Sequence, residues 1–304
     1  MGGGKPRAIK RCYHVSMVSG TLTPKRNGAI RVALVGDVVG KPGMKIACMA
    51  GPWLHRRLGA DVCVIDAENA ADGTGLRVNE YKRLIEAGYQ AITLGDHIYK
   101  KREIVEVLNG EANIVKPANF PPTAPGKTWC VVETEHGPLA IFSLLGRVFM
   151  RPVDCPMLAA DRVLSELPAS VKMILVEIHA EATSDKQVMG RYLDGRVSAV
   201  LGTHTHVTTA DEQILSRGTG FQCDVGMTGP FESILGRKIE PVVATTLSFD
   251  PNSFHVATQD IRLSATWVDL CPLTGKCLEI GRIQWKESLL EEWQKEHASL
   301  ANRM

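Results

Sequence analysis

The sequence predicts an α/β fold built on a largely parallel sheet with helices packed against it. Two observations carry this. From Ile30 onward, short β-branched runs alternate with stretches of helical periodicity, and several of those runs are apolar throughout, as strands covered on both faces must be. An apolar share of 44% over 304 residues supplies material for a sizeable core.

The elements follow in order. I-R-V-A-L-V-G, starting at Ile30, is a buried strand that ends at Gly36. The loop D-V-V-G-K-P-G comes next, then a helical stretch to about Leu58, and D-V-C-V-I-D-A is the second strand. V-N-E-Y-K-R-L-I-E-A-G reads as a helix, with Val78, Tyr81, Leu84 and Ile85 at helical spacing and Gly88 as its stop. A-I-T-L-G is the third strand and K-K-R-E-I-V-E-V-L-N-G another helix. N-I-V-K-P-A-N is expected to be a short strand, and W-C-V-V-E-T-E-H-G-P-L-A-I-F-S-L-L-G a hairpin turning near 136–137. After a helix over about 156–167, V-K-M-I-L-V-E-I-H and V-S-A-V-L-G form two more buried strands around a helical stretch at 186–192. Short alternating segments over 208–285 predict antiparallel strands, and 289–300 a terminal helix. No repeat or linker divides the body, so one domain is expected over 29–287, followed by a C-terminal helix or tail over 288–304.

The formal charge is +2, from 35 basic and 33 acidic residues, but the excess is local. Residues 1–28 hold Lys5, Arg7, Lys10, Arg11, Lys25 and Arg26 and no acid, which leaves the body at 29 basic against 33 acidic. A body of that sign with no basic stripe argues against stable nucleic-acid binding, and 1–28 is expected to be a solvated, disordered tail. No apolar run approaches the roughly 18 residues of a membrane helix, so no membrane partner is expected. The eight cysteines are scattered, with no C-x-x-C and several inside apolar runs; only Cys271 and Cys277 sit where a hairpin bridge would fit. With no signal peptide evident, a cytoplasmic location is expected.

The chemistry sits where the buried strands end. The first runs into Asp37, the second into Glu68 and Asn69, the third into Asp96 and His97. The later pair runs into His179 and into Thr203, His204, Thr205 and His206. In open α/β sheets, ligands bind outside the carboxyl ends of strands, so these groups converge on one rim. Burying that many polar groups costs free energy that packing does not return, which points to a metal site. Asp37, Glu68, Asn69, Asp96, His179, His204 and His206 are oxygen or imidazole groups, too many for one tetrahedral zinc and better suited to iron or manganese. An extended T-H-T-H segment would point both imidazoles one way, whereas a loop would send them to different ions.

At these residues the chain resembles a known family. G-D-V-V-G-x-P-G, E-N-A-A-x-G-x-G, G-D-H, P-A-N-F-P, H-A-E-A-T-S, G-T-H-T-H and D-V-G-M-T-G-P occur in that order. Together they look like the YmdB-like branch of the calcineurin-type metallophosphoesterases, from about Ile30 to Gly236. The resemblance implies a four-layer α/β/β/α metallophosphoesterase sandwich with two metal ions, iron or manganese. By motif, Asp37, Asn69 and His206 would hold the first ion and Asp96, His179 and His204 the second, with Glu68 bridging and His97 as proton donor. Many relatives carry Asn where this chain has Asp96, and a Trp-Asp pair where it has Tyr99-Lys100. The implied activity is hydrolysis of small phosphodiesters such as 2′,3′-cyclic nucleotides by metal-activated hydroxide attack. Two other readings are a metal-binding regulatory protein of the same fold with weak or no hydrolase activity, and a metallohydrolase of another class. Substrate-binding residues are not assigned, and a homo-oligomer remains open.

Overall fold

Alternate residues of the first strand face two different cores, and that alternation defines the architecture. The computed structural model describes residues 24–301. Strand β1 (Ile30–Val35) is buried along its whole length. Ala33 and Val35 pack in a cluster with Ile46 and Leu54, whereas Ile30, Val32 and Leu34 pack in another with Leu139 and Leu175. The period of two thus places a helix layer on one face of the strand and a second sheet on the other.

The first sheet runs β10 (Gly229–Pro230), β11 (Ile261–Leu270), β1, β2 (Val62–Asp66) and β3 (Ala91–Thr93), with β12 (Cys277–Lys286) paired to β11. Its β1–β2 and β2–β3 pairs are parallel, and β11 is antiparallel to both β1 and β12. The second sheet runs β4 (Cys130–Val132), β5 (Leu139–Leu145), β6 (Met173–His179), β7 (Ala199–Thr203), β9 (Gly220–Gln222) and β8 (Gln213–Ile214). Here β5, β6, β7 and β9 are mutually parallel, with β4 and β8 antiparallel at the edges.

Helices close both outer faces. The cluster outside the first sheet draws on α1 (Gly40–Arg56), α2 (Val78–Glu86), α3 (Ile104–Gly110) and α7 (Glu287–Ala301). The cluster outside the second draws on α4 (Pro156–Glu166) and α5 (Thr183–Leu193). The result is the expected four-layer α/β/β/α sandwich. The single, largely parallel sheet read from strand–helix alternation becomes two mixed sheets, because alternation along the chain does not say which strands pair.

Three segments differ from expectation. N-I-V-K-P-A-N makes only isolated bridges, Ile114 to Ile92 of the first sheet, Val115 to Lys127, and Pro117 to Ser143 of the second. It crosses from one sheet to the other, and Pro117 has no N–H to extend a ladder. Within 208–285, β9 pairs parallel to β7 rather than antiparallel. The β-branched run after Lys238 is a helix, α6 (Ile239–Ser248), with no buried residue. Pro241 stands in its first turn, where a missing N–H is tolerated, whereas in a ladder it would leave a gap.

Residues 1–23, most of the expected tail, lie outside the described residues. Its last stretch lies on the body: Lys25 pairs with Asp61 at 2.8 Å and Arg26 with Glu279 at 2.7 Å. Cys271 and Cys277 are free thiols, as are the other five described cysteines. No described helix is long and apolar enough to cross a membrane.

Candidate metal centre

Parallel register brings the polar strand ends together. In the second sheet Leu145, His179 and Thr203 stand side by side at the carboxyl ends of β5, β6 and β7. In the first, Val35 pairs with Ile65 and Asp66 with Thr93, so Asp37, Glu68 and Asp96 follow from one edge. That edge meets the edge of the second sheet, where Asp37 Oδ2 accepts the His204 backbone N–H at 2.9 Å.

Glu68, Asp96, His179 and His204 present ligand atoms all within 4.8 Å of one another. His179 Nε2 lies 3.0 Å from His204 Nδ1, 3.4 Å from Asp96 Oδ1 and 3.5 Å from Glu68 Oε2. Beside this group, His206 Nε2 lies 3.3 Å from the Asn69 amide and 3.9 Å from Asp37 Oδ1. Asn69 turns Nδ2 toward His206 and Glu68 and Oδ1 toward His97 Nδ1, and a half-turn of the amide exchanges the two. All seven residues expected as ligands therefore meet at one place.

The T-H-T-H segment leaves β7 as a loop. His204 and His206 have φ of 92° and 64°, so the two rings diverge, one toward His179 and the other toward Asn69. Backbone strain of this kind persists only where the surroundings enforce it. Here Asp224 does: Oδ2 accepts from the Thr205 N–H at 3.1 Å and the Thr205 hydroxyl at 2.7 Å, while buried Lys186 donates to it at 2.6 Å.

Imidazole tautomers follow from the groups behind each ring. Thr203 Oγ1 donates to Glu177 Oε1 at 2.9 Å, so it accepts from His179 Nδ1–H, also at 2.9 Å. Asp66 Oδ2 accepts from the same Nδ1 at 3.2 Å. That leaves His179 Nε2 pointing into the cluster. His206 Nδ1–H donates to the Leu235 carbonyl at 3.1 Å, which likewise turns its Nε2 inward. Gly95 makes room for His179: a Cβ there would sit 2.2 Å from Nε2, which accounts for the glycine of G-D-H.

Electrostatics favour positive charge in this cluster. Burial opposes charge on His179, yet Glu68, Asp66 and Asp96 raise its pKa well above the usual imidazole value. Burial likewise opposes the Glu68 carboxylate, yet His179 and His97 hold it well below the ordinary range. Hydrogen bonding to Glu68 raises His97, while burial and His179 lower His204. Burial, with Asp37 and Glu177 nearby, pushes Asp66 well up. Two buried carboxylate oxygens, Asp37 Oδ1 and Asp96 Oδ1, have no hydrogen-bond partner among the described residues. Such oxygens are costly unless something cationic satisfies them, so the donor set fits metal ions. Oxygen and imidazole donors without thiolate suit a divalent ion of intermediate softness.

The rings open on a cleft of about 280 Å³ lined by Glu68, Asn69, His97, Glu181, His206 and Arg237, among others. A separate cavity of about 400 Å³ beside α4 and α5 holds none of these groups. Sequence reasoning missed Asp66, Glu177, Lys186 and Asp224. Asp66 also ends a buried strand, which was a usable signal. The other three gain meaning only from partners between 19 and 38 positions away.

The YmdB-like protein family model matches residues 33–283. Over 254 residues the chain is 42% identical to the 2′,3′-cyclic-nucleotide 2′-phosphodiesterase of Bacillus subtilis (strain 168), covering 84% of this chain and 96% of that protein. A crystal structure of a hypothetical protein from Thermus thermophilus superposes with a TM-score of 0.80 at 40% identity, over 85% of this chain and all of that one. A novel phosphatase from Mycoplasma pneumoniae also superposes at 0.80, with 29% identity over 85% of this chain and 94% of its own.

Proposed function

The chain belongs to the YmdB-like protein family, and on that premise we propose that it is a dinuclear metal-dependent phosphodiesterase acting on small phosphodiesters such as 2′,3′-cyclic nucleotides. The observation that carries the reading is the pair of unpartnered buried oxygens, Asp37 Oδ1 and Asp96 Oδ1, among three converging imidazoles. In this reading Asp37, Asn69 and His206 would hold one ion and Asp96, His179 and His204 the other, with Glu68 available to both. Bound there, the ions supply a nucleophile from water at neutral pH and offset the charge growing on the phosphoryl group.

The chain's own residues do the rest. Thr203, Asp66 and Leu235 hold His179 and His206 with Nε2 turned inward. His97 is the proton donor to the leaving oxygen. Its Nδ1 is engaged by Asn69 at 2.8 Å and Glu68 at 3.1 Å, and its partly exposed ring lines the cleft, where Nε2 can deliver a proton. The mixed oxygen and imidazole donors support iron or manganese as the metals. Seven free cysteines among the described residues support a reducing, cytoplasmic compartment.

With Mn²⁺, the protein is expected to hydrolyse bis-p-nitrophenyl phosphate and to carry about two ions per chain by elemental analysis. Glu68→Ala should lose both; hydrolysis that survives this change would overturn the reading. His97→Ala should slow a 2′,3′-cyclic nucleotide, whose alkoxide leaves poorly, by about 10²–10⁴-fold. It should spare bis-p-nitrophenyl phosphate, whose phenolate leaves without a proton. Cyclic, linear and monoester phosphates compared side by side then identify the preferred class.

A further inference from the structure

The wall of the cleft opposite the strand ends is a tight turn, and it carries a cation that the assigned chemistry does not use. Ile234 and Arg237 exchange backbone hydrogen bonds at 2.9 Å, and the two residues between them, Leu235 and Gly236, have φ of 50° and 89°. Positive φ at both central positions is the type I′ geometry. The turn therefore does two things at once. Its Leu235 carbonyl holds His206, and its last residue sends the Arg237 guanidinium along the cleft wall.

That guanidinium is tethered on one side and available on the other. Nη2 donates to the Gly73 carbonyl at 2.6 Å, and Nη1 to the Phe254 and Asp72 carbonyls at 3.1 and 3.4 Å. A guanidinium has five N–H groups. Nε–H and one Nη2–H remain without a partner among the described residues, on neighbouring nitrogens suited to a bidentate oxyanion contact. Gly73, in E-N-A-A-x-G-x-G, is a glycine for this reason: its φ is 88°, and a Cβ there would lie 2.5 Å from Arg237 Nη1.

The charge balance gives the position its meaning. Arg237 is the only lysine or arginine lining the cleft among the described residues, against the carboxylates of Glu68 and Glu181 in the same lining and Asp37 and Asp96 in contact with its histidines. A phosphodiester entering so acidic a cleft needs a fixed positive partner, and carbonyl tethers reduce the entropy lost when a long side chain is ordered. We propose that Arg237 is a substrate-binding residue that grips a non-bridging phosphoryl oxygen of the phosphodiester through its two remaining N–H groups. This rests on the phosphodiesterase reading of the same site.

The test separates the two. Inorganic phosphate binding to the Mn²⁺-loaded protein is measured by calorimetry, which requires no turnover, alongside KM and kcat for bis-p-nitrophenyl phosphate. Arg237→Met should weaken phosphate about tenfold or more and raise KM in step, with bound Mn²⁺ unchanged. Arg237→Lys keeps the charge without the fork and should fall between Met and wild type, and it decides the matter if the Met variant does not fold. Wild-type phosphate affinity and KM in a folded variant with full Mn²⁺ would overturn the proposal and leave Arg237 a backbone clamp. Absence of hydrolysis by the wild type would instead sink the phosphodiesterase reading, while phosphate affinity would still decide whether Arg237 grips an oxyanion.

Discussion

At His179 the chemistry is decided by the ring nitrogen that faces away from the cleft. Its Nδ1 proton is shared between Thr203 and Asp66, so Nε2 is the atom left for the cluster. Groups of this kind orient a metal-binding imidazole, and their loss usually costs about 10–100-fold in metal affinity or activity. Asp66→Asn preserves shape but offers an N–H as readily as an acceptor. Under the proposed assignment it should weaken Mn²⁺ binding by about that range, read by calorimetric titration, while its melting temperature stays close to wild type. Equal Mn²⁺ affinity would mean that Thr203 alone fixes the tautomer. The sequence pointed to His179 because it ends a buried strand. The carboxylate 113 positions away that orients it is visible only in the folded chain.

Among the elements, the loop after β7 is the one that regular patterning described least. Thr203 to His206 alternates like a strand, yet two left-handed residues turn it away from the sheet. What enforces this is the buried Lys186–Asp224 pair, reaching from α5 to the segment after β9. Asp224→Ala leaves the ammonium buried without its carboxylate and frees Thr205, a change that typically costs about 3–5 kcal/mol. Chemical denaturation should show a loss of that size, together with reduced metal retention from the loosened histidines. A variant as stable as wild type would remove Asp224 as the loop's anchor. Helix α6 has the opposite lesson: its composition suits a strand, but Pro241 and the absence of any buried side chain leave no sheet for it to join.

In the whole molecule, the site depends on two stacked sheets presenting their carboxyl ends at one rim, and on a join within the first sheet, at the other end of β1, that ties that strand to β11. Arg31, at the start of β1, grips Asp269 of β11 through two hydrogen bonds of 2.7 and 2.8 Å while stacking on Trp267 at 4.1 Å. Both charges are buried, so Asp269→Ala should lower unfolding free energy by about 3–5 kcal/mol, with denaturant midpoints falling accordingly. Because the pair lies at the opposite end of β1 from Asp37, kcat should hold at temperatures where the variant stays folded. A selective loss of kcat without destabilisation would show that the join governs the site rather than the fold.

The amino-acid order by itself determined which polar residues stand at the ends of the buried strands. Strand burial and strand ends are local, so Asp37, Glu68, Asn69, Asp96, His97, His179, His204 and His206 could be read from short-range pattern. The motif resemblance added the four layers and suggested the ion-by-ion grouping that is proposed above. Tertiary structure alone decided that the strands divide into two mixed sheets and that the two histidines of T-H-T-H part company. It also decided that Asp66, Asp224 and Arg237 stand against the site. The physical reason is range: periodicity records how a segment meets its immediate surroundings. A hydrogen bond from Arg237 to Gly73, 164 residues apart, leaves no trace in either segment until both are folded.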